Sequence, residues 1–122
     1  MSIEKNAYRY KQLKVWQKAM ALVVDVYRAT KKFPPDEQYG LISQMRRSVV
    51  SIPSNIAEGH GRTSEKELVR FLVIAKGSLY ELDTQIEISR QLEYIDLSDF
   101  NTIVNLLDET SRMLSGLIKS KT

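Results

Sequence analysis

Apolar residues recur through this chain at intervals of three and four, the period of one helix face, and the interruptions are short and sharply defined. That pattern restricts the fold to packed helices. In a first helix, predicted from about Ala7 to Lys32, Leu13, Trp16, Met20, Val23 and Tyr27 follow the spacing, and Lys11, Lys14 and Lys18 project to the opposite side. Phe33-Pro34-Pro35 ends it, because each proline removes a backbone donor and disfavours the α region for the residue before it. A second helix is predicted from Asp36-Glu37, with Leu41, Ile42, Met45, Val49, Ile52 and Ile56 on one face. Pro53 predicts a bend after Val49, with Ser48, Ser51 or Ser54 placed to bond the freed carbonyls. Gly59-His60-Gly61 supplies a left-handed helix cap, with His60 in a loop.

The third helix opens on a capping box, Ser64 with Glu67, and buries Leu68, Phe71, Leu72, Ala75, Leu79, Leu82 and Ile86. Its first half is apolar nearly all round, since Val69, Val73 and Tyr80 lie about a quarter turn away from that stripe and Ile74 lies beyond. A helix wrapped in apolar residues needs cover on more than one side, so Val69, Val73 and Tyr80 are candidate oligomer contacts. Gly77 costs about 1 kcal/mol relative to alanine in a helix interior, a cost that close approach of another helix offsets. The last helix, about Ser98 to Lys119, is capped by Asp96 or Ser98 and lined by Phe100, Ile103, Val104, Leu107, Met113, Leu114 and Ile118. Short connections make sequential helices antiparallel. The expectation is an all-α, up-down-up-down four-helix bundle with a kinked second helix, one domain over residues 1–122.

At 122 residues the chain can bury a core without staples, and with no Cys it has neither a disulfide framework nor a cysteine zinc site. No apolar run approaches a membrane span and the first ten residues do not read as a secretory signal, so a cytoplasmic protein without membrane contact is expected. The net charge of +3 conceals an asymmetry. Residues 1–35 hold eight Lys or Arg against Glu4 and Asp25, a net of +6, and the remainder holds ten basic and thirteen acidic residues, a net of −3. Such a distribution suits an anionic polymer or an acidic partner surface.

Catalytic motifs are missing. There is one histidine, no phosphate-cradling glycine loop, no nucleophile elbow and no Glu-x-x-His pair, so neither an enzyme nor a cofactor is expected. Carboxylates such as Glu81, Asp83, Glu87, Asp108 and Glu109 fall off the apolar stripes and read as a solvated face, while Asn55 and Glu58 read as residues that pin a helix end. The cations carry the remaining signal. Lys11, Lys14 and Lys18 form a one-sided ladder suited to spaced phosphates, and Tyr8 and Tyr10 alternate with Arg9 and Lys11 in a pattern that stacks bases while neutralising charge. Arg47 is expected in solvent and joins Arg62 in the candidate nucleic-acid set, whereas Arg46 is expected half-buried in an ion pair.

Several segments carry a resemblance. Leu13-Lys14-Val15-Trp16-Gln17-Lys18-Ala19, Phe33-Pro34 with Glu37-Gln38-Tyr39-Gly40-Leu41, Gln44-Met45-Arg46-Arg47-Ser48, and Ser51-Ile52-Pro53-Ser54-Asn55-Ile56-Ala57-Glu58-Gly59 stand in sequence. Phe71-Leu72, Ile74-Ala75, Gly77-Ser78 and Glu81-Leu82 continue the series. Together, over about residues 11 to 95, they resemble the four-helix-bundle proteins encoded in intervening sequences of bacterial 23S ribosomal RNA genes, the S23 ribosomal protein family. The last helix matches only in its amphipathic pattern. The resemblance implies a bacterial homopentamer of no established enzymatic activity, similar in fold to the accessory variability determinants of diversity-generating retroelements, which engage nucleic acid and a reverse transcriptase. This chain departs from those in its moderate charge. Two functional expectations follow: an oligomeric bundle that binds RNA or DNA through its basic first helix, or an interaction scaffold whose partner is a protein.

Overall fold

The computed structural model describes residues 8–122. Four helices make up the bundle: α1 (Lys14–Thr30), α2 (Leu41–His60), α3 (Glu65–Gln91) and α4 (Leu97–Lys121), with short 3₁₀ turns at Arg9–Gln12 and Pro35–Glu37. Each helix packs on the next, and α4 closes the square against α1. Side-chain contacts give the direction of every pair. Arg46 reaches back to Thr30 and Tyr27, Ser89 donates to Met45 Sδ, Lys121 pairs with Glu65, and Lys18 and Lys32 meet Glu109 and Asp99. In every pair early residues face late ones, so all four neighbouring pairs are antiparallel and the topology is up-down-up-down.

The core is the one the periodicity predicts for α2, α3 and α4. It holds Met45, Val49, Ile52 and Ile56 with Leu72, Leu79, Leu82, Ile86, Ile103, Leu107 and Leu114. In α1 the register differs by one residue: Val15, Ala19, Leu22, Val26 and Ala29 are buried, whereas Trp16 and Val23 are only half-buried and Met20 and Tyr27 are exposed. The apolar arc of α1 is wide enough for either orientation. In the orientation adopted, Lys18 meets Glu109 at 2.9 Å and Lys32 meets Asp99 at 3.0 Å, and the bulky Trp16 stripe lies at the α1–α2 edge.

Helix ends also depart from expectation. Leu13 is extended, so Tyr8 to Leu13 lie outside α1 and Lys11 is not on the same helix as Lys14 and Lys18. α2 starts at Leu41 rather than Asp36, because Glu37 stays in its own turn and its Oε1 accepts the Leu41 N–H at 3.3 Å. α2 then runs unbroken through Pro53 to His60. Its serines find other partners: Ser48 donates to the Met45 carbonyl and to Gln85 Oε1, and Ser51 pairs with Ser78.

No glycine adopts a left-handed conformation, which corrects the cap expected at Gly59 and Gly61. His60 is the last residue of α2, half-buried, with Nδ1 donating to the Ile56 carbonyl at 2.8 Å. Gly59 serves packing instead: a Cβ there would stand 3.0 Å from Leu68 Cδ1, 3.1 Å from Phe71 Cβ and 3.2 Å from the Leu68 carbonyl. The left-handed cap belongs to Glu93 (φ 59°) after α3, where Tyr94 N–H bonds Ser89 O and Glu93 N–H bonds Arg90 O. At the other end of α3, Ser64 Oγ accepts the Glu67 N–H at 3.1 Å, but the Glu67 carboxylate pairs with Arg70, so only half of the capping box forms.

Candidate nucleic-acid interface

The antiparallel topology gathers four helix termini at each end of the bundle. One end collects the turn before α1, the start of α1, the end of α2, the start of α3 and the end of α4. Its terminal turns and connection carry Arg9, Lys11, Lys14, Arg62, Lys66, Lys119 and Lys121 against Glu58, Glu65 and Glu67, a net of +4 among the described residues. The opposite end carries Arg28, Lys31, Lys32 and Arg90 against Asp36, Glu37, Glu93, Asp96 and Asp99, a net of −1. Folding therefore divides the cations of the first 35 residues between the two ends, Arg9, Lys11 and Lys14 at one and Arg28, Lys31 and Lys32 at the other, and the axial asymmetry comes from Arg62, Lys66, Lys119 and Lys121 at the first and the five carboxylates at the second. Helix dipoles do not add to it, since two amino and two carboxyl termini meet at each end.

Four of the six predicted nucleic-acid residues, Arg9, Lys11, Lys14 and Arg62, lie at the basic end and are exposed. Lys11 Nζ sits 5.4 Å from the Tyr8 ring centroid, Tyr8 and Tyr10 rings are 6.5 Å apart, and Tyr10 packs edge-on against Trp16 at 5.6 Å. Arg62 stacks on Phe71 at 4.7 Å, with Arg70 against the same ring at 5.0 Å. Sequence reasoning missed the contributions of Lys66, Lys119 and Lys121. Their signal was the antiparallel topology itself, which brings residues over 100 positions from Arg9 to the same end.

The other two residues are placed elsewhere. Lys18 is paired with Glu109, and Arg47 lies exposed on the outer face of α2, toward the opposite half of the molecule. Arg46 has no ion pair among the described residues. Its Nε donates to Thr30 Oγ1 at 3.0 Å, Nη2 donates to the Tyr27 carbonyl at 3.3 Å, and the guanidinium lies 4.5 Å from the Tyr27 ring centroid. It therefore clasps α2 to the end of α1. Asn55, expected to pin a helix end, donates to the Ser51 carbonyl and hydroxyl within α2. Val69 is half-buried, while Val73 and Tyr80 are 52% and 55% exposed.

At the acidic end, hydrogen bonds from the Asp99 N–H and charge from Lys32 hold the Asp96 carboxyl below the usual carboxylate range. Lys32 is correspondingly raised, first by its hydrogen bond to Asp99. These groups fasten α4 to α1. No cluster of three or more His, Cys, Asp or Glu side chains exists among the described residues, and no described helix is long and apolar enough to cross a membrane.

The sequence model of the 23S rRNA-intervening sequence proteins matches residues 11–116. The chain belongs to that family. A solved structure of this S23 ribosomal protein family, a protein of unknown function from Bacteroides thetaiotaomicron VPI-5482, is 25% identical in sequence and superposes with a TM-score of 0.77. That comparison covers 86% of this chain and 98% of the other. No curated protein matches. Family membership accounts for the bundle and for the spacing of its helices, and it names no reaction.

Proposed function

We propose that this 23S rRNA-intervening sequence protein is a non-enzymatic, cytoplasmic homo-oligomer that binds RNA or DNA through its basic end. The observation that carries the reading is the convergence of Arg9, Lys11, Lys14, Arg62, Lys66, Lys119 and Lys121 at one pole of the bundle. A cationic surface of this kind engages phosphates without reading base edges, so shape and charge rather than sequence would govern recognition. The exposed Tyr8 ring beside Lys11 adds a stacking surface for an unpaired base. Homo-oligomerisation, a pentamer by family resemblance, would repeat this end around a symmetry axis and multiply its affinity for a long polyanion.

Filter binding of labelled RNA and DNA across a salt series tests the proposal. Affinity for duplex should fall by roughly 0.9 log units per log unit of salt for each phosphate engaged. The triple change Lys11→Glu, Lys14→Glu and Arg62→Glu should abolish binding, and the pair Lys31→Glu and Lys32→Glu at the opposite end should leave it within about twofold. Absence of binding by the unaltered protein, or equal losses from the two ends, refutes the nucleic-acid reading. The competing scaffold reading requires a protein partner still captured by the triple variant after nuclease treatment.

A further inference from the structure

Five of the ten aromatic residues lie along one side of the bundle, the face made by α1, α2 and the turn that precedes them. They follow one another along it. The Tyr8 ring stands 6.5 Å from Tyr10, and Tyr10 packs edge-on against Trp16 at 5.6 Å. Trp16 and Tyr10 then line a cleft of about 390 Å³ between α1 and α2, with Met20, Val23, Val50 and Pro53. Val50 also belongs to a second cleft, of about 440 Å³, that holds Tyr27, Tyr39, Arg46 and Arg47. The two clefts therefore make one trough. Trp16 and Tyr27 are eleven residues apart on α1, which sets them about 16 Å apart along its axis. None of the five rings is buried, and Tyr39 is 96% exposed.

Cations stand beside these rings at both ends of the trough. At the basic end the Arg9–Gln12 turn rests on both α1 and α2, and Lys11 Nζ lies 5.4 Å from the Tyr8 ring centroid. At the far end the Arg46 guanidinium lies 4.5 Å from the Tyr27 ring centroid. Its bonds to Thr30 Oγ1 and the Tyr27 carbonyl fix the fork and leave its other N–H groups without an acceptor among the described residues. Arg47 is exposed beside it and has no ion-pair partner among the described residues. Among the described residues no carboxylate lines either cleft. A trough walled by rings, cationic at both ends and free of acid suits a ligand made of flat apolar units joined by anions. Bases joined by phosphates have that constitution. A duplex does not fit it as well, because its base faces are stacked on one another and reach a protein only as edges and phosphates.

We infer that the trough between α1 and α2 is a track for an unpaired strand of nucleic acid, running from the basic end to Arg46 and Arg47. This inference rests on the nucleic-acid reading proposed above and names the class of ligand, single-stranded rather than duplex. Phosphates sit on Arg9 and Lys11 at one end and on Arg46 and Arg47 at the other, and the bases between them stack on Tyr10, Trp16, Tyr27 and Tyr39. Every base has a flat face, so the track tolerates any sequence. Arg47, far from the basic end, thereby meets the same strand.

Trp16 is the only tryptophan and lines the trough, so its emission reports what enters. Titration of the full chain with an oligouridylate should quench that emission saturably, whereas a blunt RNA duplex of equal length should leave it unchanged. Two variants at exposed positions, Tyr39→Ala and Arg47→Glu, supply a second arm, with circular dichroism confirming the fold of each. Each should weaken oligouridylate binding at least about fivefold, the loss expected of one stacked base, and leave duplex binding within about twofold. Poly-glutamate, an anion without rings, should neither quench Trp16 nor displace the oligouridylate at equal charge. If neither RNA binds, the nucleic-acid reading falls and the track with it. If RNA binds and the triple variant of the basic end releases it, the basic-end reading stands. The track alone is then overturned by a Trp16 signal that oligouridylate does not move or that the duplex moves equally, or by variants that bind oligouridylate as the parent does. Quenching by poly-glutamate as strong as that by oligouridylate also overturns it, in favour of an acidic peptide.

Discussion

Replacing either of two helical glycines with alanine should give opposite outcomes in this bundle. Removing glycine from a helix interior gains about 0.8–1.0 kcal/mol from lower backbone entropy in the unfolded chain. At Gly77 nothing in the chain lies within 4 Å of the added methyl, so Gly77→Ala should collect the full gain. At Gly59 the methyl meets Phe71 Cβ at 3.1 Å and the Leu68 carbonyl at 3.2 Å, atoms that move only with the α3 backbone. Overpacking of this kind costs about 1–3 kcal/mol, leaving Gly59→Ala destabilised by about 0–2 kcal/mol after the propensity gain. An unfolding entropy of about 2.1 cal/mol/K per residue converts 1 kcal/mol into about 4 °C for a chain of this length. The two variants should therefore melt about 8 °C apart by circular dichroism, Gly77→Ala the higher. Melts belong at dilutions where the chain is monomeric, because association stabilises by mass action. Equal melting temperatures, or a rise for Gly59→Ala, would refute the assignment of Gly59 to helix contact.

The buried layer between α2 and α3 supplies a second test. Ser48 Oγ lies 2.7 Å from Gln85 Oε1 in the core, so Ser48→Ala orphans that acceptor and should cost about 1–3 kcal/mol in urea unfolding, whereas adding Gln85→Leu should recover much of it; additive losses would exclude a direct coupling. A third concerns acid. Because the Asp96 carboxyl is depressed in the folded state, its contribution to stability is complete above the ordinary carboxylate range near pH 4 and is lost as pH falls through the lower folded value. Asp96→Asn keeps a side-chain cap for α4 and removes the charge, so urea midpoints at pH 7 and pH 3 should lie closer together than in the parent; an unchanged gap would contradict the role of the ion pairs with Lys32.

The α2, α3 and α4 stripes were legible in the sequence because each has one dominant apolar face, and a 3.6-residue period then allows a single orientation. α1 has two. Val15, Ala19, Leu22, Val26 and Ala29 precede Trp16, Met20, Val23 and Tyr27 by one position or nearly so, which is about 100° on the helix, and periodicity alone weighs the stripes equally. The choice depends on tertiary packing of α1 against α2 and α4, which no local period encodes. The same non-locality hid the basic end. Lys119 and Lys121 read as ordinary helix-terminal cations until the last helix returns them to the level of Lys14. The glycines misled for a local reason: Gly59 and Gly61 suggested a left-handed cap, but Glu93 occupies that conformation and Gly59 answers a steric demand from Leu68 and Phe71 that no spacing rule encodes.

One rotation sets both the cationic surface and the exposed side of α1. Turning α1 toward α4 places Lys18 against Glu109 and so withdraws it from the basic ladder, leaving the end of the bundle rather than the side of α1 as the polycationic surface. The same turn lifts Trp16, Met20, Val23 and Tyr27 out of the core and opens the groove against Val50 and Pro53. In Glu109→Gln with Asp99→Asn these exposed pairs are lost and α1 is held inward by its buried stripe alone, so circular dichroism should show an unchanged fold.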